Sequence, residues 1–107
     1  IAEYVREKIF NNTNEEVPHS ITCVTEDIKM NKESAEVNVL IVVERDSLKK
    51  IIIGKQGEMI KKIGIEARKD IEELMNRRVY LNLYVKTIPK WRDKEKYLME
   101  LGFKERK

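Results

Sequence analysis

Ile51-Ile52-Ile53-Gly54-Lys55-Gln56-Gly57 runs without a break into Glu58-Met59-Ile60-Lys61-Lys62-Ile63. An apolar segment enters two glycines three positions apart, and an amphipathic pattern opens behind them. Glycines at that spacing let the backbone come close to a ligand, because no Cβ intervenes. A helix that starts just after Gly57 turns its first N–H groups and the positive end of its dipole toward the same place, which suits a phosphate. Lys55 adds a charge between the glycines, and Lys49, Lys50, Lys61 and Lys62 surround it. Ile52, Ile53, Ile60 and Ile63 supply apolar surface, either as ordinary core or in part as the lining of a groove. Phosphate-friendly backbone beside an apolar groove matches a single-stranded nucleic acid, whose bases are unstacked and whose sugar-phosphates are charged.

Other phosphate-binding loops are excluded. A Walker A loop needs Lys and Ser/Thr after its last glycine, and Gly57 is followed by Glu58. A dinucleotide fingerprint needs a third glycine and a strand leading straight into the loop. GTP binding is therefore not expected of this chain.

Working outward, Glu58 to about Asn76 reads as a long helix, with Ile60, Ile63, Ala67, Ile71 and Leu74 at steps of three and four forming one apolar stripe. Gly64 lies on that stripe and suggests close helix packing. Arg68, on the flank, is placed to pair with Glu72 one turn on. Ahead of the loop, Ser47 is a candidate cap for a short helix, Leu48 to Ile53, ending at Gly54.

Ile21 to Met30 and Glu36 to Val43 read as strands joined by the turn Asn31-Lys32-Glu33-Ser34, hence an antiparallel pair. The second ends apolar on both faces, which predicts cover on one side by helices. Val79 to Lys86 is a third strand, with Val79, Leu81, Leu83 and Val85 on one face and Tyr80, Asn82 and Tyr84 on the other. Residues 2–10 form a short helix. A last helix is expected over about Asp93 to Leu101, with Gly102 after its end and Trp91 and Phe103 pinning it to the body.

Charge is segregated along this order. Residues 1–44 have a balance of −5, residues 45–69 of +5 and residues 70–107 of +3. A solvated helix face explains a lysine-rich stretch by itself. Its coincidence with the glycine loop points instead to a polyanionic partner.

The loop in this context resembles the KH domain, whose GxxG turn clamps a short run of nucleotide backbone. Further motifs narrow the resemblance: Glu16-Val17-Pro18-His19-Ser20, Val43-Glu44-Arg45-Asp46, Ile63-Gly64-Ile65-Glu66-Ala67-Arg68-Lys69-Asp70-Ile71, Val85-Lys86 and Trp91. Together they are similar to the C-terminal RNA-binding domain of the Era family of ribosome-assembly GTPases, over roughly residues 3 to 103. The resemblance implies an α+β fold of the type II KH arrangement: a three-stranded mixed sheet, helices packed on one face and an extra C-terminal helix. Pro18-His19-Ser20 would order the loop before the first strand. It implies RNA contact through Gly54, Lys55, Gln56 and Gly57, flanked by Ile52, Ile53, Ile60, Lys61, Ile63, Lys49 and Lys50. Gln56 departs from the family, where a small or basic residue is frequent. The implied partners are single-stranded RNA, the 3′ end of small-subunit ribosomal RNA, hence the small ribosomal subunit, and a GTPase domain upstream in the parent chain. Two alternatives stay open: a KH module of another ribosomal or transcription protein, and a protein-docking module.

The remaining bounds are simple. The 107 residues suit one domain, 1–107, with about 91–107 as a helical extension. No apolar run approaches a membrane span, and no signal peptide pattern opens the chain. One cysteine, Cys23, forms no internal disulfide and reads as a small buried hydrophobe. With one histidine, His19, no metal set of the usual ligands assembles, and no motif places a nucleophile beside that imidazole. The expectation is a cytoplasmic, non-catalytic domain without a cofactor, in a parent that associates in some settings with the membrane.

Overall fold

The computed structural model describes residues 1–13 and 20–91. The element order is α1 (Ala2–Asn12), β1 (Ile21–Met30), β2 (Ser34–Val43), α2 (Asp46–Ile53), a single 3-10 turn (Lys55–Gly57), α3 (Glu58–Met75) and β3 (Arg78–Thr87). Pro18 and His19 of the expected loop, and the final helix, lie outside the described residues.

The sheet has the order β1-β2-β3. β1 pairs antiparallel with β2, from Ile21 opposite Val43 to Met30 opposite Ala35, with an irregularity between Thr25 and Asp27. β3 runs parallel to β2, from Ser34 opposite Arg78 to Val43 opposite Thr87. The sheet is therefore mixed, and β3 is an edge strand that a long crossover through α2 and α3 has to reach.

Alternation divides the sheet into two faces. Ile21, Val37, Val39, Ile41, Val43 and Val79 point to one side, where they meet Val5 and Ile9 of α1, Leu48 and Ile52 of α2, and Ile63, Ala67 and Ile71 of α3. That cluster is the core, and burial of its aliphatic side chains, each worth about 1.5–3 kcal/mol, drives the fold. On the opposite face Val24, Leu40 and Val42 form a small second cluster with Ile88 and Trp91. Trp91 Nε1 donates to the Ser20 carbonyl at 3.1 Å, tying the end of the described chain to the start of β1. Polar contacts lock α1 onto α3: Lys8 Nζ lies 2.7 Å from Asp70 Oδ2, and Asn12 Nδ2 donates to Glu66 Oε1 at 2.7 Å.

Four local expectations need correction. Ser47 does not cap α2: the helix opens two residues earlier, with Arg45 at the N-cap and no side-chain cap bond, while Thr87 Oγ1 donates to Asp46 Oδ1 at 2.6 Å. Leu74 is exposed, because Met75 takes the place against the core at the end of α3. Glu72 does not serve Arg68; its Oε2 accepts the Val79 N–H at 2.9 Å and so fixes the turn from α3 into β3. Gly64 is not demanded by packing, since an added Cβ would lie at an ordinary 3.6 Å from Leu83 Cδ1.

Candidate nucleic-acid interface

The site is built where α2 ends and α3 begins. Gly54 takes φ 75° and ψ 176°, a well that only glycine occupies readily. Its N–H closes α2 by donating to the Lys50 carbonyl at 2.8 Å. A side chain there would collide with Met59, whose backbone N would be 2.8 Å from an added Cβ. Gln56 and Gly57 follow in the left-handed region, at φ 56° and 76°. Gly57 N–H donates to the Gly54 carbonyl at 3.2 Å, so the two glycines close one tight turn. Nothing stands within 4 Å of an added Cβ on Gly57. Gly57 faces open space, and α3 begins on it without a side-chain cap.

The turn carries Lys55 and Gln56 outward, both exposed. Lys50, Lys61 and Lys62 are exposed on the flanking helices, and Lys49 is half-buried on α2. An uncapped helix start, two glycines and the surrounding ammonium groups are the kind of arrangement that can hold a phosphate with backbone N–H groups and point charges. Among the described residues no three His, Cys, Asp or Glu side chains gather to hold a metal ion.

Beside the turn, α3 and β3 bound a groove of about 390 Å³, lined by Ile60, Lys61, Gly64, Ile65 and Arg68 on the helix and by Tyr80, Leu81, Asn82 and Leu83 on the strand. Its size falls within the range of ligand pockets. Ile60, Gly64 and Arg68 are spaced by four, so they form one line along α3. Gly64 leaves this wall low, with Leu83 across from it. The groove has an apolar floor and two cations, and it suits a flat group with charge attached to it.

The isoleucines separate into two kinds. Ile52 and Ile63, grouped by sequence with the groove, have no exposed surface and belong wholly to the core. Ile53 and Ile60 are half-buried, and Ile60 lines the groove. Sequence alone does not point to the strand wall, and it pairs Arg68 with Glu72, whereas Arg68 lines the groove. The spacing of Ile60, Gly64 and Arg68 was the one available signal, because it places all three on one line of the helix.

Cys23 packs against the core from β1. Burial pushes its thiol up from 9.0 to about 12, against a smaller opposing effect of the Arg6 charge.

Comparison with known proteins agrees with this geometry. The model of the KH domain family matches residues 16–92. A variant of Era from Aquifex aeolicus, bound to GDP·AlF4−, is 42% identical with a TM-score of 0.85, over 95% of this chain and 35% of that one. A structure of Era in complex with MgGDPNP and nucleotides 1506–1542 of 16S ribosomal RNA is likewise 42% identical, with a TM-score of 0.86 and the same coverages. This chain thus spans about a third of the length of those proteins.

Proposed function

This chain belongs to the KH domain family, and on that premise we propose that its GxxG turn and the groove beside it bind single-stranded RNA. The observation that carries the reading is the turn itself. Gly54 and Gly57 hold positive φ, and open space stands over Gly57 at the uncapped start of α3. Phosphates of the strand meet the turn, with Lys55 and Gln56 beside them. Bases lie along Ile60, Gly64 and Leu83, which a stacked, paired duplex cannot reach. Lys61, Lys50 and Lys49 add long-range attraction.

The RNA is the 3′ end of small-subunit ribosomal RNA, bound during assembly of the small ribosomal subunit. The parent protein carries a GTPase domain upstream, and this chain contributes RNA binding rather than catalysis, within the cytoplasm and at times at the membrane. Residues 1–107 act as one domain. The 42% identity to an Era solved with 16S ribosomal RNA supports this reading.

The test combines Lys55→Asp with Gln56→Asp. Asp tolerates the left-handed conformation of position 56 better than most residues, so the fold should survive. Titration with a short single-stranded RNA should then show binding lost, because the acidic pair repels phosphate from the helix start. A folded double variant that binds as the wild type does would place RNA elsewhere.

A further inference from the structure

β3 carries a pattern that the groove does not use up. Val79, Leu81, Leu83 and Val85 turn toward the helices, which leaves Arg78, Tyr80, Asn82, Tyr84 and Lys86 in a row on the opposite face. The row reads basic, aromatic, amide, aromatic, basic, and the strand contains no acid. Tyr80 and Tyr84 keep 54% and 52% of their surface exposed, far more than a packed aromatic. Same-face neighbours on a strand stand about 6.8 Å apart, so the two tyrosines leave the backbone about 13–14 Å from each other.

Two acids on the neighbouring strands are already engaged. Asp27 accepts from Asn38 Nδ2, and Glu36 lies 3.8 Å from Lys29 Nζ. Asn38 Oδ1 in turn accepts from Asn82 Nδ2 at 2.9 Å, which steadies the amide in the middle of the row. Leu40, which is buried, lies opposite Tyr84 on β2. Tyr80 and Asn82 also line the groove, so the row is continuous with it across the edge of the sheet.

We infer that this row is a second stretch of the RNA interface. A strand that leaves the groove turns over the β3 edge and stacks a base on Tyr84, with Lys86 beside the attached phosphate. Single-strand binders combine aromatic platforms with basic side chains in this way, and stacking tolerates any base because every base has a π-face. The inference rests on the groove binding RNA; it extends that site from the helix side to the exposed tyrosines on the opposite face of the sheet.

The experiment measures affinity of the chain for an RNA tetranucleotide and for a dodecamer with the same four nucleotides flanked by uridines. Tyr84 does not line the groove, so Tyr84→Ala separates the two surfaces. The wild type should bind the dodecamer at least tenfold more tightly than the tetramer. Tyr84→Ala should lose about tenfold of that gain and leave the tetramer unchanged, while Tyr84→Phe should keep it. Thermal melting should be unaltered for both variants. A tetramer that binds with no gain from the flanks, a gain that survives Tyr84→Ala, or an equal loss for both RNAs would overturn this inference alone. A change in sedimentation on Tyr84→Ala without a change in RNA binding would assign the face to contact between copies, and also overturn it. If no RNA binds the wild type, the groove reading falls and takes this inference with it.

Discussion

A Cβ on Gly54 would stand 2.7 Å from the Cβ of Met59, a separation that real Cβ atoms do not adopt. The first turn of α3 is folded back against Gly54, the C-cap of α2, and the absence of one carbon permits it. Gly57, three residues on, has the same sign of φ, but a Cβ added there would meet nothing within 4 Å. The two glycines of the motif are therefore there for different reasons: the first lets the turn close, and the second leaves its outer side open.

Replacing each glycine by alanine should separate those reasons. Gly54→Ala meets both a forbidden backbone well and Met59, and should cost about 3 kcal/mol. Gly57→Ala meets strain alone, at about 1 kcal/mol. Urea denaturation measures both. Equal losses would mean that the turn relaxes around either side chain and that the contact with Met59 does not constrain it.

Gly64 is expected to behave in the opposite way. It lies in the middle of α3, and an added methyl group meets Leu83 at ordinary contact distance. Gly64→Ala should raise stability by about 0.5–1 kcal/mol, the usual gain within a helix. A longer side chain, as in Gly64→Leu, should fill the groove and weaken single-strand binding while the fold persists. If Gly64→Leu bound RNA as well as the wild type, bases would not lie between α3 and β3.

These contrasts also mark where the sequence was readable. The long helix, the strands and the glycine turn were legible because their apolar periods are strong and local. The isoleucine run was not. Consecutive helical residues diverge by about 100°, so Ile52 is fully buried, Ile53 half-buried and Ile51 47% exposed. Periodicity over so short a segment does not say which of the three faces the core. The strand wall of the groove was hidden for another reason. Tyr80 to Leu83 reach the groove only because β3 pairs parallel with β2 and lies beside α3. That pairing spans the whole crossover, and nothing local in β3 encodes it.

Burial of Cys23 has a measurable consequence at high pH. Its thiol is pushed up from 9.0 to about 12 in the folded chain, chiefly by loss of hydration. Between those values the unfolded chain releases a proton that the folded chain retains. The stability contributed by the neutral thiol is then complete below about pH 9 and lost as pH rises to about 12. Comparing Cys23→Ala with the wild type across that window cancels other titrating groups, and the wild type should lose more stability. The thiol should also resist alkylation at pH 8 in the native chain and react promptly in denaturant. Equal alkylation rates would show that the cysteine is not shielded.

The final prediction separates base contact from charge attraction. A basic patch alone binds any single strand, and its affinity falls steeply with salt. The turn has room for few phosphates, and three of them give a slope of log affinity against log salt of only about −2. On the proposed reading, an RNA with the 3′-terminal sequence of small-subunit ribosomal RNA should outcompete a scrambled strand of equal length. Ile60 lines the groove and is only half-buried, so Ile60→Ala should disturb the fold less than Ile52→Ala, which opens a cavity in the core at about 2–5 kcal/mol. The same Ile60→Ala change should weaken both RNAs and reduce the preference about tenfold, a loss of 1.4 kcal/mol in discrimination. Competition curves that coincide at every salt concentration would sink the ribosomal assignment, and a slope much steeper than −2 would return the site to a patch of lysines.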